Sequence, residues 1–257
     1  MTKVKLFFLA ALAVVLLAGC SFDDNGPEDQ QLYNVGDYYP DPEAVYRDGV
    51  LQSGTAAIGI VYWLRSPSKD SRYGSSGRIV SLDEAPDYLR WGSSGETGAT
   101  YSGHGLANMV AVKSIDNTFS TYPVFAWVDQ KNGAAGTTAY VPGATGIWYL
   151  PAVGELQQLL CFAAFRSGEE WGFLTIDDNK VWYPSFNPTW DSEIDLLRLN
   201  ARLTSAGGTA LDASTYWSSS GNYVDSAWGV SFSSGYTYVY NKTSEFKARC
   251  IMMFSSD

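Results

Sequence analysis

Aromatic side chains and glycine together narrow what this chain can become. Nine Trp, 17 Tyr and 12 Phe make up 15% of it, and 25 Gly are scattered among them. Rings of that size favour the pleated, half-buried surface of a strand, and glycine supplies the positive φ of tight turns. The combination predicts many short strands joined by close turns and argues against a helical bundle. Hydrophobic residues at 46% over 257 positions suffice for one large core. After residue 32 no linker, biased stretch or repeat of about 20–50 residues divides the chain, which predicts a single domain over 32–257. The Ser-Ser-Gly triplets at 75, 93, 219 and 233 are irregularly spaced and read as turns.

Periodicity places the elements. Residues 57–64 and 78–82 read as two strands of a hairpin, with a polar turn at 66–77. Gly105 to Ile115 and the Tyr122 to Gln130 region read as helical. A strand at Gly146–Leu150 leads into a helix opened by Pro151, whose Leu156, Leu159, Leu160 and Ala163 share one face. A further helix after Ser192 buries Leu196, Leu199 and Leu203 and stops at Gly207-Gly208. Asp191, Glu193 and Asp195 at its start are read as capping and dipole residues, not as a metal cluster. From 215 to 254 the chain reads as an antiparallel meander. Trp217 and Trp228 are placed in the core, Tyr236, Tyr238 and Tyr240 on one face, and Phe246, Ala248, Cys250, Met252 and Phe254 on one face of the last strand. The expected class is α+β, small helices packed on antiparallel sheets with a C-terminal β-meander.

The first residues form an address. Lys3 and Lys5 precede an apolar run from Leu6 to Ala18, and its 13 residues are too few to span a bilayer. The run ends in Leu17-Ala18-Gly19-Cys20, which resembles the lipobox of bacterial lipoproteins. That resemblance implies a signal peptide over 1–19, a lipidated Cys20, and contact with a membrane through the lipid anchor only. Residues 20–31, acidic and aperiodic, read as a solvated tether. Acid directly after the cysteine is similar to the surface-export signal of Bacteroidota lipoproteins, which implies an outer-membrane anchor and a surface-exposed domain.

Charge and residue supply exclude several functions. With 17 Lys plus Arg against 27 Asp plus Glu, the chain has no basic surface to neutralise phosphates, and nucleic acid is excluded as a partner. The one histidine, His104, sits in a turn-like Ser-Gly-His-Gly and is read as structural; no nucleophile elbow or phosphate loop accompanies it. No metal site and no cofactor are expected, with calcium left open. Cys161 and Cys250 fit no zinc spacing, and either a disulfide or two buried thiols is compatible with their positions. The chain is read as not an enzyme. A glycoside hydrolase using carboxylates such as Asp177, Asp178 or Asp225 stands as a minor alternative.

Several short stretches, in this order, carry a wider resemblance: Val35-Gly36-Asp37-Tyr38-Tyr39-Pro40, Gly59 to Trp63, Ile79 to Ala85, Trp148-Tyr149-Leu150-Pro151 with Glu155-Leu156, Tyr216-Trp217-Ser218-Ser219-Ser220, Ala227-Trp228, and Lys247-Ala248-Arg249-Cys250. Residues 32–254 thereby resemble the Fibrobacter-type major paralogous domain, related to the C-terminal domain of a bacterial collagen-like adhesin. The resemblance implies a C-type lectin-like fold. Members often pair a cysteine in the helix before the Trp-x-Leu-Pro segment with one in the last strand, whereas this chain has Val128 in that region. The calcium-binding signature of sugar-binding lectins is only echoed by residues 186–191, so no calcium site is carried over. The fold also hosts formylglycine-generating enzymes, whose active-site cysteine pair is not recognisable here.

The stretch 216–254 is similar to the variable regions of lectin-like proteins diversified by retroelements, with Trp217, Trp228, Phe232, Gly235 and Lys242 in fixed-looking places. Tyr beside Ser, Asn and Asp also makes a good binding surface on physical grounds. Asn222, Tyr223, Asp225, Ser226, Tyr236, Tyr238 and Asn241 are therefore the candidate ligand-binding residues, for a glycan or a protein at the cell surface. The alternatives are that the tyrosines are an ordinary strand face and residues 218–226 a soluble loop, or that the protein is a structural component of the envelope without a small ligand.

Overall fold

Runs of β-branched and aromatic residues become strands wherever a neighbouring run can cover them. The computed structural model describes residues 33–65, 76–134, 136–164 and 192–255, within the compact unit Gln31–Asp257. The leader, Cys20 and its tether, the 66–75 turn, Asp177, Asp178 and residues 186–191 lie outside the described residues. In chain order the strands are β1 (Tyr38–Tyr39), β2 (Val45–Arg47), β3 (Val50–Ser53), β4 (Gly59–Leu64), β5 (Ser76–Ser81), β6 (Leu89–Arg90), β7 (Trp148–Tyr149), β8 (Thr215–Tyr223), β9 (Ser226–Ser231), β10 (Thr237–Asn241), β11 (Glu245–Phe246) and β12 (Ile251–Ser255). The helices are α1 (Gly105–Ile115), α2 (Pro123–Lys131), α3 (Val153–Ala164) and α4 (Ser192–Ser205). The class is α+β.

The larger sheet runs β1-β4-β5-β12-β7, antiparallel throughout. Its register aligns Ile60, Val80, Ile251 and Tyr149 across four strands, and these face the main core. One residue further along, Val61, Ile79 and Met252 point the opposite way, into a smaller cluster with Tyr33 and Phe254. A period of two with both faces covered explains why β4, β7 and β12 are almost uniformly apolar. Covering each such side chain stabilises the fold by about 1.5–3 kcal/mol.

The helices bury the faces that the 3.6-residue period assigns. Leu156, Leu159, Leu160 and Ala163 of α3, and Leu196, Leu199 and Leu203 of α4, are all 4% exposed or less. Pro123 opens α2, where its missing N–H costs nothing. Glu155 fastens two helix starts at once: its Oε2 accepts from Ala152 N at 2.8 Å, ahead of α3, and from Gly105 N at 3.0 Å, the first residue of α1. Gly105 is required there, because a Cβ would collide with the Leu150 carbonyl.

The smaller sheet, β10-β9-β8, is a three-stranded meander. It is shorter than the sequence indicates. After β10 the chain pairs β11 with β6, then β12 enters the larger sheet beside β5. The expected single face from Phe246 to Phe254 also breaks, since Cys250 and Ile251 both face the main core while Met252 and Phe254 face the smaller cluster. The cause lies in Arg249, which is 1% exposed and bonds to the carbonyls of Ser81 at 3.0 Å and Thr209 at 2.7 Å, holding residues 248–250 out of any ladder. Two of the four serine-glycine triplets are not turns either: 219–221 lies inside β8 and Ser76-Gly77 opens β5.

Cys161 and Cys250 are free thiols. Cys161 lies on α3, and Cys250 is buried just ahead of β12. Burial pushes the Cys161 thiol up from 9.0 to about 11 and also holds that of Cys250 well above its usual range. Among the described residues no helix is long and apolar enough to cross a membrane.

Candidate functional site

The smaller sheet passes from buried to exposed across its width. On β8, Tyr216 and Trp217 are wholly buried; on β10, Tyr238 and Val239 are more than 40% exposed. Its inner side is fixed by polar groups with little access to water. The Tyr216 hydroxyl donates to Glu84 Oε2 at 2.9 Å, and Lys247 holds Glu84 at 2.8 Å and Asp212 at 2.7 Å. Burial draws the Lys247 ammonium down, but its bonds to these two acids outweigh that and hold its pKa above the usual range. Burial beside Glu84 keeps the Tyr216 phenol protonated well above its usual range.

Ser218, Ser219 and Ser220 continue β8 and are buried, which corrects the soluble-loop alternative for this part of 218–226. Their hydroxyls do structural work: Ser218 donates to Trp228 O at 2.7 Å, Ser219 accepts from Asn108 at 3.0 Å, and Ser220 donates to Tyr101 O at 2.8 Å. Small hydroxyl residues let loops approach the strand closely while every polar atom keeps a partner. The indole N–H of Trp217 donates to Leu89 O and that of Trp91 to Ser218 O, each at 2.8 Å. Trp217 is thus core, as expected, and Trp228 is half-buried against it.

Lys242 locks the far end. Its ammonium, buried with the rest of the side chain, donates to Gly95 O at 2.8 Å and Val224 O at 3.0 Å and lies 4.7 Å from the Trp91 ring centre. Gly95 N also donates to Val224 O, and Lys242 N to Asp225 O. Desolvation lowers the Lys242 pKa, and the Asp225 carboxylate opposes that shift. The 92–96 loop, the β8–β9 hairpin tip and the end of β10 are therefore one rigid platform. The sequence marks Lys242 as fixed, but gives no sign that it goes inside.

The seven candidate residues fall into two groups. Asn222, Tyr223, Asp225, Ser226 and Asn241 gather at the locked end, where Ser226 stands opposite both Tyr223 and Asn241. Tyr223 is 75% exposed, with Val224 beside it at 49%. Asn241 spends its Oδ1 on Thr243 N and Oγ1, so its carbonyl oxygen builds the turn. Tyr236 and Tyr238 lie up the strand, with Tyr236 about 17 Å from Asn241 at the usual strand rise. Tyr238 contacts Tyr240 at 6.0 Å, Tyr240 contacts Phe246 at 4.5 Å, and Phe246 contacts Trp217 at 4.8 Å, an aromatic row running from solvent to core. Gly229 gives Tyr240 its seat, since a Cβ there would lie 3.1 Å from that ring. Val224 and the 93–96 loop were not singled out from sequence, because their approach depends on Lys242.

Elsewhere a pocket of about 270 Å³ is lined by Tyr101, His104, Leu106, Pro142, Tyr149 and Met253, with Glu155 at its edge. Glu155 is engaged on both oxygens, by Tyr149 at 3.1 Å and Arg78 at 3.2 Å as well as by the two backbone N–H groups. The carboxylate is committed to holding helix starts and a buried arginine.

No protein-family model and no curated protein matches the chain. Among solved structures it is similar to a fimbrial protein from Bacteroides ovatus ATCC 8483, with 19% sequence identity and a TM-score of 0.51 over 86% of this chain and 49% of that chain. The chain therefore spans about half the length of that protein, and the likeness is one of fold.

Proposed function

We propose that this protein is a cell-surface binding module whose ligand, a glycan or a protein, meets the exposed end and outer face of the β8–β10 sheet. One observation carries the proposal. Exposed tyrosines and short polar residues stand on a platform whose loops are already fixed by buried Lys242, so binding would order little that is not ordered beforehand. Tyr223 and Val224 supply apolar area at the locked end, Asn222, Asp225 and Ser226 supply hydrogen bonds, and Tyr236 and Tyr238 extend the surface along the strand. On this reading the fold is C-type lectin-like, Cys20 is acylated and anchors the protein in the outer membrane, residues 21–31 tether it, and retroelement-directed variation would fall on the exposed positions of 222–241. It has no catalytic role.

The fimbrial neighbour favours a second reading, a structural component of a surface assembly without a small ligand. A glycan-array and matrix-protein screen of residues 31–257 separates the two. Specific binding that is lost in Tyr223→Ala/Asp225→Ala, with the fold retained, supports the module. Absence of any binding supports the structural component.

A further inference from the structure

The smaller sheet has two edges, and the chain treats them differently. The outer edge of β8 is closed by its own loops: Trp217, Ser219 and Gly221 donate their N–H groups to the carbonyls of Lys247, Pro151 and Ala99. Among the described residues the outer edge of β10 meets only Ser244 N, which donates to the Asn241 carbonyl at 2.9 Å within the turn that follows. Its hydrogen-bond phase follows from two bonds, Ser231 N to Tyr236 O and Lys242 N to Asp225 O. These turn the main-chain groups of Tyr236, Tyr238 and Tyr240 toward β9, so those of Thr237, Val239 and Asn241 point outward.

Soluble proteins usually blunt such an edge with lysine, proline or a bulge. Thr237-Tyr238-Val239-Tyr240-Asn241 has none of these; its pairing with β9 is regular, and the lysine that follows is buried. We propose that this edge pairs with the same edge of a second copy, antiparallel about Val239, to make one continuous six-stranded sheet.

The segment is its own complement. Centred on Val239, the pairing sets Thr237 against the partner's Asn241 and uses the outward main-chain groups of Thr237 and Val239 and the Asn241 N–H; the Asn241 carbonyl, which already accepts from Ser244 N in its turn, takes a second bond on its other lone pair. Tyr238 then lies across from the partner's Tyr240 on the aromatic face, the kind of cross-strand pair that stabilises sheets. The charge pattern favours this occupant: the chain carries a net charge of −10, yet the five paired positions carry none, so two copies approach here without opposing carboxylates. Tyr236 at 49%, Tyr238 at 43% and Val239 at 41% exposure offer side-chain area to cover. With the strand backbone, the buried total is on the order of 800 Å², the small end for a specific interface, so the dimer forms and dissociates with concentration.

Cross-linking on the full-length chain tests this. A hydrogen-bonded antiparallel pair sets its Cα atoms about 5.5 Å apart, within disulfide reach. Val239→Cys is expected to give a covalent homodimer under mild oxidation. Thr237→Cys and Asn241→Cys are each expected to give none alone, and to cross-link when mixed. The wild-type chain, with its own three cysteines, is the control, and near-ultraviolet circular dichroism confirms that each variant is folded. Val239→Lys should abolish the dimer in sedimentation velocity. Equal cross-linking at all three positions, no cross-link at 239, or a 239 adduct with a different protein would each overturn the pairing.

Discussion

The two sheets solve the same problem in opposite ways. The five-stranded sheet is covered on both faces, with Ile60, Val80 and Ile251 on one side and Val61, Ile79 and Met252 on the other. The three-stranded sheet buries β8 and leaves β10 half in solvent, although both are rich in tyrosine. Aromatic content alone therefore does not say whether a strand is core or surface. What separates them is which main-chain and polar groups the rest of the chain has come to satisfy. Around β8 these are met by Arg249, Lys247, Asn108 and buried serines. At β10 the outward groups are left to water or to a partner.

Disturbing the shared root should have the largest effect. Arg249→Met strips the guanidinium from Glu84 and from the Ser81 and Thr209 carbonyls, and is expected to cost about 3–5 kcal/mol in urea denaturation. Both sheets should fail together; loss of the smaller one alone would show that they are not joined there. Lys242→Met should cost less, roughly 1.5–3 kcal/mol, and act locally. Hydrogen exchange is expected to quicken at 92–96 and 223–225 while the amide of Trp217 stays protected.

An alkaline titration reads the covered side. The Cys161 thiol ionises near 9.0 when unfolded and near 11 when folded. Stability is therefore unchanged by this group below pH 9 and declines as the pH rises from 9 toward 11. Urea midpoints at pH 8, 9.5 and 11 should show that decline, and Cys161→Ala should reduce it. Gly229→Ala places a methyl 3.1 Å from the Tyr240 ring, and should cost about 1–2 kcal/mol and shift tyrosine and tryptophan fluorescence. At the other limit, Tyr223→Ala is expected to change stability by no more than about 0.5 kcal/mol and yet remove ligand binding. A large loss of stability there would mean the hairpin tip is framework, and the contrast between the two sheets would fall.

The local signals were legible because they repeat within a short window. The two hairpin strands and the buried faces of α3 and α4 follow from periods of 2 and 3.6, and Trp217 from its place in that alternation. The exposure of Tyr223, Tyr236 and Tyr238 also agrees with their choice as surface candidates. Other features depend on distant partners. Ser218 to Ser220 have the composition of a loop, and only Asn108, Tyr101 and Trp228 arriving from elsewhere make them strand core.

By itself the sequence determined an α+β chain rich in short strands, with a net charge of −10 and five of its 17 tyrosines between residues 216 and 240. Tertiary structure decided where the last strand goes, that Lys242 and Arg249 turn inward, and that β10 is the edge left open. Those outcomes depend on partners far away in the chain, Gly95 for Lys242 across 147 residues and Ser81 for Arg249 across 168. A charged group enters the interior only where distant carbonyls converge to replace its water, and no local pattern encodes that convergence.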